Sequence, residues 1–380
     1  MSMATRKKIG ILFNFSPKWL GGVIYVLNAI KVLNFLEEKD KPMIFVFYNP
    51  NLQRFVDEID YPYIEKIVWP YPSVYKQFLK SLLLRKNTFV DEIIAHYRLD
   101  TIFPLHDFPA RSSSNCKLIS WYADLQHLHY PHFFSLAKRF ERYLRVQFIL
   151  KNASHLVVSS HAVKEDFYRF FKIPKSMTFE IYHFVSIIDA FPTHTLKELQ
   201  ATYELPEQYF IISNQFHKHK NHKVVFEAVA ELKKKGTKIN LVLTGKLPDD
   251  SNSDYVEELK RILEVNQLED QILFLGVLPR DIQLSIMKHA EAIVQPSLFE
   301  GWSTVIEDAI ALQKPVICSD IPVNVEQLKE KGFYFSAENV NDLCDTFTQR
   351  AFADAPSPLY ESYDTRVRRA AKTLHKILTE

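Results

Sequence analysis

The residues best suited to chemistry lie in one short segment, QPSLFEGWSTVIEDAIA (295–311). Glu300 and Gly301 fall in a loop of this segment, and Ser303 has a side chain that can cap a helix beginning near Thr304. The first N–H groups of a helix have no partner within it, so this helix start and its hydroxyl groups are suited to bind an anion such as a diphosphate. The helix dipole contributes only about 0.3–1 kcal/mol, so charged side chains must add to it.

Two carboxylates accompany this helix start. Glu307 lies about one turn into the predicted helix, near the loop that carries Glu300. Carboxylate oxygens accept hydrogen bonds from pairs of hydroxyl groups, so we expect Glu307 to bind a ribose and Glu300 to bind a sugar ring. A plain helix start is the alternative, because acidic first turns are common and Ser303 with Glu307 nearly forms a capping box. The local pattern leaves both interpretations open.

The elements that must position these residues follow a repeated strand–helix order in both halves of the chain, which at 380 residues suits two domains. Apolar runs without polar alternation are typical of parallel strands covered on both faces, so we expect α/β domains with parallel sheets. The predicted strands are Lys8–Phe15, Met43–Tyr48, Thr101–Pro104, Lys117–Tyr122, His155–Ser159, Tyr209–Ser213, Ile239–Thr244, Ile272–Gly276, Ala292–Gln295 and Pro315–Ser319.

The polar segment FPTHTLKELQATYELP separates the two series of strands and is the predicted linker. The predicted divisions are a first domain over residues 1–190, a linker over 191–206, a second domain over 207–355, and a C-terminal helix within 356–380 that packs back on the first domain.

Composition excludes several classes of protein. A formal net charge of +2, from 47 basic and 45 acidic residues, gives no sign of a nucleic-acid partner. Three widely spaced cysteines argue against a disulfide framework or a cysteine zinc site and suit a reducing cytosol. We expect a cytoplasmic protein with neither a signal peptide nor a membrane span. The aromatic residues of the first half indicate an aromatic core, with a lipid-linked partner as the alternative.

Glycine is scarce, with eight in the chain, so its placement is informative. Gly21 and Gly22 follow the first predicted strand and precede a helical pattern at Val23–Leu33, and Gly245 follows the strand that ends at Thr244. Glycine at the carboxyl end of a strand lets the backbone approach a ligand, although turn geometry alone also explains it. The GxGxxG spacing is absent, which argues against a dinucleotide.

The segment PSLFEGWSTVIEDA (296–309) resembles the donor-binding segment of the family 4 retaining glycosyltransferases, which have the GT-B fold. Three more segments are similar to that family: SNQFHKHKNHKVVFEAVAEL (213–232), LVLTG (241–245) and CSDIPVNVEQL (318–328). In the first half, WYADLQHLHYPHFFS (121–135) resembles the acceptor-side loop of a bacterial subgroup. The resemblance implies two Rossmann-like, doubly wound domains whose parallel sheets face a cleft, in an enzyme of the bacterial surface-polysaccharide type.

The resemblance also implies roles for single residues. Glu300 and Glu307 match the family's glutamate pair at the donor sugar and the ribose, and Lys220 matches the lysine that neutralises the donor diphosphate. Without the resemblance, Lys220 would be interpreted as a solvated surface charge. The other implied donor contacts are Gly21, Gly22, Gln215, Thr244, Gly245, Gly301, Ser303 and Thr304. Two features depart from the family: six residues instead of seven separate Glu300 from Glu307, and Gln215 stands where arginine is common.

The implied reaction moves a sugar from a UDP or GDP sugar to a hydroxyl group of a glycan or lipid-linked glycan, with retention of configuration. Lys220 and the helix start near Ser303 would stabilise the leaving phosphate, so neither a metal nor a cofactor is expected. We expect a mannose-like donor, a bacterial surface-polysaccharide acceptor, and peripheral contact with the inner face of the membrane. The alternatives are a sugar-nucleotide epimerase or phosphorylase of the same fold, and a non-catalytic sugar-nucleotide-binding subunit.

The acceptor-side loop departs most from the broader family. Many relatives have a His–Asp pair at the place of Trp121–Leu125, but here Ala123 precedes Asp124. Asp124 and His127 follow a strand that ends near Tyr122, so we expect one of them, with His127 favoured, to contact the acceptor or donor sugar. The alternative is that His127 anchors the loop.

A metal site is the other interpretation of the HKHKNH segment. His217, His219 and His222 are close in sequence, but no carboxylate or cysteine accompanies them at the spacing of metal ligands. A loop that faces a phosphate explains these histidines better.

Overall fold

The computed structural model describes residues 6–246 and 253–380, apart from positions 18, 70–75, 77–78, 81–82, 85, 106–111 and 113. The chain forms two compact units. The first contains Met1–Ile187 together with Asp364–Glu380, and the second contains Ile188–Tyr363.

The first unit is built on one sheet of seven parallel strands, in the order β3-β2-β1-β4-β5-β6-β7. The strands are β1 (Lys8–Phe13), β2 (Met43–Tyr48), β3 (Ile64–Val68), β4 (Thr101–Phe103), β5 (Lys117–Tyr122), β6 (His155–Val158) and β7 (Thr178–Ile181). The helices between them include α1 (Leu20–Lys31), α2 (Gln53–Asp57), α3 (Thr88–Tyr97), α4 (Gln126–His129), α5 (Leu136–Asn152) and α6 (His161–Phe170).

The second unit has a sheet of six parallel strands in the order β10-β9-β8-β11-β12-β13. They are β8 (Phe210–Ser213), β9 (Leu241–Thr244), β10 (Ile272–Gly276), β11 (Ile293–Gln295), β12 (Val316–Ser319) and β13 (Phe333–Phe335). The helices of the second unit include α7 (Leu196–Tyr203), α8 (His222–Lys234), α9 (Ser253–Val265), α10 (Arg280–His289), α11 (Thr304–Ala311), α12 (Pro322–Leu328) and α13 (Val340–Gln349). One more helix, α14 (Tyr363–Thr379), follows them in the chain.

The central strands are buried on both faces, which explains their continuous apolar sequences. Phe210 and Ile212 of β8 belong to the core on one face of the sheet, whereas Ile211 belongs to the core on the other face. Successive side chains of a strand point to opposite faces, so helices must cover both sides. The two doubly wound parallel units confirm the predicted α/β fold class.

The ten strands predicted from sequence are all present, with ends shifted by at most two residues. Three further strands, β3, β7 and β13, have no counterpart in that prediction, and each lies at an edge of its sheet. An edge strand is less covered than a central one, and β3 (IEKIV) accordingly exposes Glu65 and Lys66. Its mixed sequence therefore lacks the apolar run used to predict the others.

The segment predicted as a linker, residues 191–206, contains the helix α7. Thr195 and Glu198 form a capping box, in which each side chain bonds the backbone N–H of the other residue. Leu199 is buried in the core of the second unit. The predicted linker therefore contains a short amphipathic helix, which its polar composition did not indicate.

The last helix, α14, contributes to the first unit. Thr101 donates a hydrogen bond to the carbonyl oxygen of Leu378 at 2.7 Å, and Lys117 donates one to that of Ile377 at 2.8 Å. The last carbonyl groups of a helix have no partner within it, so these two side chains complete its end. Among the described residues, none of the helices combines the length and hydropathy that a bilayer span requires.

Candidate functional site

The sheet of the second unit changes direction between β8 and β11. The chain runs outward through β9 and β10 on one side of this point, and through β12 and β13 on the other side. In open α/β sheets the ligand crevice lies at such a switch point, outside the carboxyl ends of the strands. The loop after β8 carries Gln215 and Lys220, and the loop after β11 carries Glu300 and Gly301.

Lys220 and Glu300 form an ion pair at this switch point. The Nζ atom of Lys220 lies 2.5 Å from Oε1 of Glu300, and both side chains are largely buried. A charge removed from water requires a partner, so each of these two groups compensates the other. The fold therefore joins two residues that lie 80 positions apart in sequence.

Two buried amide side chains, those of Gln295 and Asn214, support Glu300 through a series of hydrogen bonds. Gln295, the last residue of β11, donates from Nε2 to Oε1 of Glu300 at 2.9 Å and to the Ser297 hydroxyl at 3.0 Å. Asn214 donates from Nδ2 to Oε1 of Gln295 at 2.8 Å. Gln295 is fully buried and its amide is engaged on both sides, so its orientation is fixed. Lys220 and Gln295 both donate to the same oxygen of Glu300.

The turn that carries Lys220 is tied to its surroundings. Lys218–Lys220 forms a single 3-10 turn, and Asn221 follows it in the left-handed conformation with φ of 54°. Asparagine tolerates this conformation better than most residues. The Asn221 amide donates to the carbonyl oxygens of Pro296 at 3.1 Å and Ala337 at 2.8 Å. In addition, the N–H of Leu298 donates to the carbonyl oxygen of His219 at 2.8 Å.

Glu307 is held at the start of α11. Its Oε1 accepts hydrogen bonds from Nε1 of Trp302 at 3.1 Å and from Nε2 of Gln327 at 2.7 Å. Gln327 also bonds the backbone N–H and carbonyl of Ser303, at 3.3 and 2.9 Å. These contacts connect the turn that carries Gly301 and Ser303 to α12, so the loop, the helix start and the carboxylate form one ordered unit.

The helix start itself agrees with the prediction. α11 begins at Thr304, and the Ser303 hydroxyl accepts a hydrogen bond from the N–H of Ile306 at 3.3 Å, which confirms Ser303 as the N-cap. Thr304 is exposed, whereas Gly301 and Ser303 are buried. The N–H groups of Thr304 and Val305, the first two helical residues, precede the first bonds of the helix and are the natural anion donors of this segment.

Gly245 allows the chain after β9 to pass against the chain after β8. Its φ is +135°, and a Cβ atom at this position would lie 2.1 Å from the carbonyl oxygen of Asn214. Only glycine is compatible with both constraints. Thr244 is buried, and its hydroxyl lies 2.7 Å from that of Ser213, so it holds two strand ends together.

The histidines of the HKHKNH segment are neutral at pH 7. Burial, followed by the charge of Lys220, lowers the pKa of His219 to about 2 and that of His222 to about 3. His222 is fully buried and stacks on Phe216 with ring centroids 4.4 Å apart. His217 lies 2.9 Å from Oε1 of Gln215. The lysines of this segment, and not its histidines, therefore supply its positive charge.

These histidines do not converge on an ion. Within the described part of the chain, His217, His219 and His222 do not bring three ligand atoms close enough to hold one metal. The rings of His217 and His219 instead stack at 5.7 Å.

In the first unit, Gly21 and Gly22 lie inside the first turn of α1, because the helix begins at Leu20 and not at Val23. A Cβ atom on Gly22 would lie 2.5 Å from Cε3 of the Trp19 indole. The missing side chain of Gly22 therefore makes room for Trp19, which also stacks on Trp121 with ring centroids 5.6 Å apart. Gly21 is less crowded, with its nearest neighbour at 3.7 Å.

His127 is buried in the first unit. It lies in the short helix α4, is fully buried, and packs edge-on against Phe134. Burial, followed by the charge of Arg142, lowers its pKa to about 4. The residue favoured for a sugar contact therefore belongs to the interior of the first unit in this conformation. Asp124 is only partly buried, and its Oδ1 accepts a hydrogen bond from the N–H of Gln126 at 3.0 Å.

Residues 198–357 match the family model described as Glycosyl transferases group 1. The matched residues make up less than half of the chain. The match spans β8 to β13 and includes Lys220, Glu300 and Glu307. A glycosyl transferase is also the class of protein that the sequence resemblance implied.

Two curated relatives are similar to this chain. The O-antigen chain mannosyltransferase RfbU of Salmonella typhimurium is 25% identical over 216 residues, which is 57% of this chain and 56% of the relative. The N-acetylgalactosamine-N,N'-diacetylbacillosaminyl-diphospho-undecaprenol 4-alpha-N-acetylgalactosaminyltransferase of Campylobacter jejuni is 24% identical over 176 residues, 46% of this chain and 44% of the relative. The chain spans about half the length of these relatives.

One solved structure extends the likeness over nearly the whole chain. Anabaena Alr3699/HepE in complex with UDP-glucose superposes with a TM-score of 0.64 at 16% identity, covering 97% of this chain and 94% of the other. The likeness shows a common fold, and it agrees with the GT-B fold that the sequence resemblance implied.

Sequence reasoning missed the residues that hold the candidate site in place. They are Asn214, Asn221, Gln295, Trp302 and Gln327. Gln327 lies in the quoted segment CSDIPVNVEQL and Trp302 lies beside Gly301, so both were visible as part of a motif. The two strand-end amides gave a weaker signal, which is a polar residue at the end of an apolar run.

Proposed function

We propose that the protein transfers a sugar from a UDP or GDP sugar to a hydroxyl group of a glycan or lipid-linked glycan, with retention of configuration. The observation that carries this proposal is the Lys220–Glu300 pair at the switch point of the second unit. There, a cation that can bind a diphosphate lies beside a carboxylate that can accept hydrogen bonds from sugar hydroxyl groups.

In the proposed donor complex, the diphosphate takes the place of Glu300 as the partner of Lys220. Glu300 then accepts hydrogen bonds from sugar hydroxyl groups, while Gln295 continues to hold Oε1. Glu307 accepts bonds from the ribose, and the N–H groups at the start of α11 face the phosphates. Gly21, Gly22, Gln215, Thr244, Gly245, Gly301, Ser303 and Thr304 remain proposed donor contacts.

During transfer, the bond between the anomeric carbon and the phosphate oxygen breaks, and a bond to the acceptor oxygen forms on the same face. The proton of the acceptor hydroxyl passes to the leaving phosphate, so no enzyme base is required. Negative charge on the phosphate is greatest in the transition state, so Lys220 and the helix start favour that state over the ground state. Neither a metal nor a further cofactor enters this scheme.

The names of the relatives support a donor and an acceptor class. A mannosyltransferase of an O-antigen chain supports a mannose-like donor and a surface-polysaccharide acceptor. A relative named for a diphospho-undecaprenol acceptor supports a lipid-linked glycan. Such an acceptor would bring the protein into peripheral contact with the inner face of the membrane. On the acceptor side we propose that Asp124 or His127 contacts the acceptor or donor sugar.

The test is a screen of purified protein against UDP and GDP sugars, measuring release of the nucleoside diphosphate by slow donor hydrolysis. We expect one donor to be hydrolysed, Lys220→Ala to lose that activity, and exposed Lys218→Ala to keep it. Proton NMR of the transfer product then reads the anomeric configuration. A screen in which no nucleotide sugar binds would overturn the proposal, and an isomerised donor sugar would support an epimerase instead.

A further inference from the structure

The helix α5 of the first unit has an exposed apolar face. Leu136 is 78% exposed, Phe140 63%, Tyr143 45% and Leu144 37%. Their spacing of i, i+4, i+7 and i+8 places them on one stripe of the helix, while Val146, Ile149 and Leu150 are buried in the core. Large apolar side chains exposed as a continuous stripe are typical of an interaction surface, unlike such residues scattered singly.

The same helix is strongly basic. It contains five cationic residues, Lys138, Arg139, Arg142, Arg145 and Lys151, and one acidic residue, Glu141. Glu141 pairs with Lys138 at 2.8 Å and with Arg145 at 3.0 Å, so it is already neutralised by its own helix. The helix keeps a net charge of four positive units, and its partner must therefore be both apolar and anionic.

A second segment of the first unit has the same composition. Leu79, Leu83 and Leu84 are 58%, 83% and 51% exposed, and Lys76, Lys80 and Lys86 accompany them in sequence. These exposed leucines and lysines, close to one another in sequence, repeat the combination found on α5. Exposed apolar groups together with basic groups are the composition of helices that lie in the interface of an anionic bilayer.

We propose that the exposed stripe of α5 docks on an anionic lipid surface, with its apolar side chains among the acyl chains and its cations at the lipid phosphates. This inference rests on the proposed function, since it names the surface by which the protein reaches a lipid-linked acceptor. A second copy of the chain is a poor occupant, because a symmetric contact would bring two helices of the same positive charge together. Each cation near an anionic membrane adds about 1 kcal/mol, which is about fivefold in affinity.

The test is sedimentation of the purified protein with vesicles of phosphatidylglycerol and phosphatidylcholine. We expect binding to the mixed vesicles, little binding to pure phosphatidylcholine, and weaker binding at about 1 M salt, where charges are screened beyond about 3 Å. Leu136→Ser with Phe140→Ser should raise the lipid concentration for half-binding by about tenfold or more. Arg139→Glu with Lys151→Glu should abolish the preference for phosphatidylglycerol.

Matched controls come from the second unit. Val265→Ser with Val277→Ser removes two apolar side chains that are 74% and 71% exposed, and Lys234→Glu with Lys235→Glu reverses two exposed cations. Both control variants should bind vesicles like the wild type. Binding of UDP and GDP, measured on all variants by calorimetry, should stay unchanged. Vesicle binding without nucleotide binding would contradict the proposed function but would still support the docking surface.

Three outcomes overturn the docking surface. Wild-type protein could ignore phosphatidylglycerol vesicles, or the serine variant could bind them as tightly as the wild type. A dimer in sedimentation velocity that the serine variant dissociates, with no vesicle binding, would assign the stripe to a second copy instead.

Discussion

The Nζ atom of Lys220 lies 2.5 Å from Oε1 of Glu300, so two oppositely charged groups neutralise each other at the carboxyl edge of the second sheet. The pair is largely buried and reinforced by a hydrogen bond from Gln295 to the same carboxylate oxygen. The diphosphate of a ligand can replace the Glu300 carboxylate as the partner of Lys220. The carboxylate is then available to accept hydrogen bonds from the sugar. The following predictions derive from this arrangement.

Lys220→Ala should lower the rate of transfer more than it lowers donor affinity. The charge of the leaving phosphate is greatest in the transition state, and removing one preorganised donor of this kind costs about a hundred- to a thousandfold in kcat. Steady-state kinetics and calorimetric nucleotide binding measure the two quantities, with Lys218→Ala as the control. Equal losses in kcat and in donor affinity would mean that Lys220 binds ground and transition states alike.

Gln295→Met should reduce kcat by about tenfold while nucleotide affinity stays near the wild-type value, because Gln295 acts on the sugar-binding carboxylate and not on the nucleotide. The change should also be non-additive with Glu300→Gln, since both variants disrupt one hydrogen-bonded unit. Kinetics of the single and double variants test this. Full additivity, or a loss of nucleotide affinity equal to the loss in kcat, would mean that Gln295 only packs in the core and does not position Glu300.

Glu307→Ala should weaken nucleotide binding. The loss of a hydrogen-bonded charged group costs roughly 1.5–3 kcal/mol, or about ten- to a hundredfold in affinity. Calorimetry with UDP and GDP measures the effect, and Glu330→Ala, an exposed carboxylate after α12, is the control. Wild-type nucleotide affinity in a stably folded Glu307→Ala protein would remove this residue from the donor site.

Transfer activity should survive EDTA. The positive charge at the leaving phosphate comes from Lys220 and from the helix start, which take the role that a divalent ion has in other transferases. The measurement compares initial rates before and after chelation, followed by addition of manganese or magnesium. A rate that disappears with EDTA and returns with either metal contradicts the scheme.

Acid should destabilise the protein through its buried histidines. Burial lowers the pKa of His127 to about 4 and that of His222 to about 3, whereas an unfolded histidine has a pKa of about 6.5. Below about pH 6.5 the unfolded chain binds protons that the folded chain excludes, so the free energy of unfolding falls as the pH falls. Between about pH 6.5 and its folded pKa, each histidine lowers the free energy of unfolding by up to about 1.4 kcal/mol for each pH unit that the pH falls. Above about pH 6.5 its full stabilising contribution is present.

Urea unfolding at about pH 7.5 and about pH 5 measures this effect as a change in midpoint. His222→Phe keeps a ring beside Phe216 but cannot bind a proton, so the variant should lose one histidine's share of the pH dependence. An unchanged pH dependence in His222→Phe would show that this histidine becomes accessible before the protein unfolds.

The sequence by itself determined the fold class, the central strands and the candidate donor residues. Central parallel strands need apolar side chains on both faces, so runs such as Met43–Tyr48 and Leu241–Thr244 are visible without a structure. The cap at Ser303 is equally local, because it depends on residues within one turn. The pattern did not predict edge strands such as β3 or the helix α7 inside the predicted linker, because their exposed positions carry polar residues.

Only the tertiary structure decided which distant residues meet and which are buried. Strand order places the loops after β8 and β11 side by side, and no local pattern encodes the pairing of Lys220 with Glu300 or the support from Gln295. Burial depends in the same way on packing between elements that are remote in sequence. For that reason the sequence placed His127 correctly after the end of β5 but did not show that its side chain is fully buried.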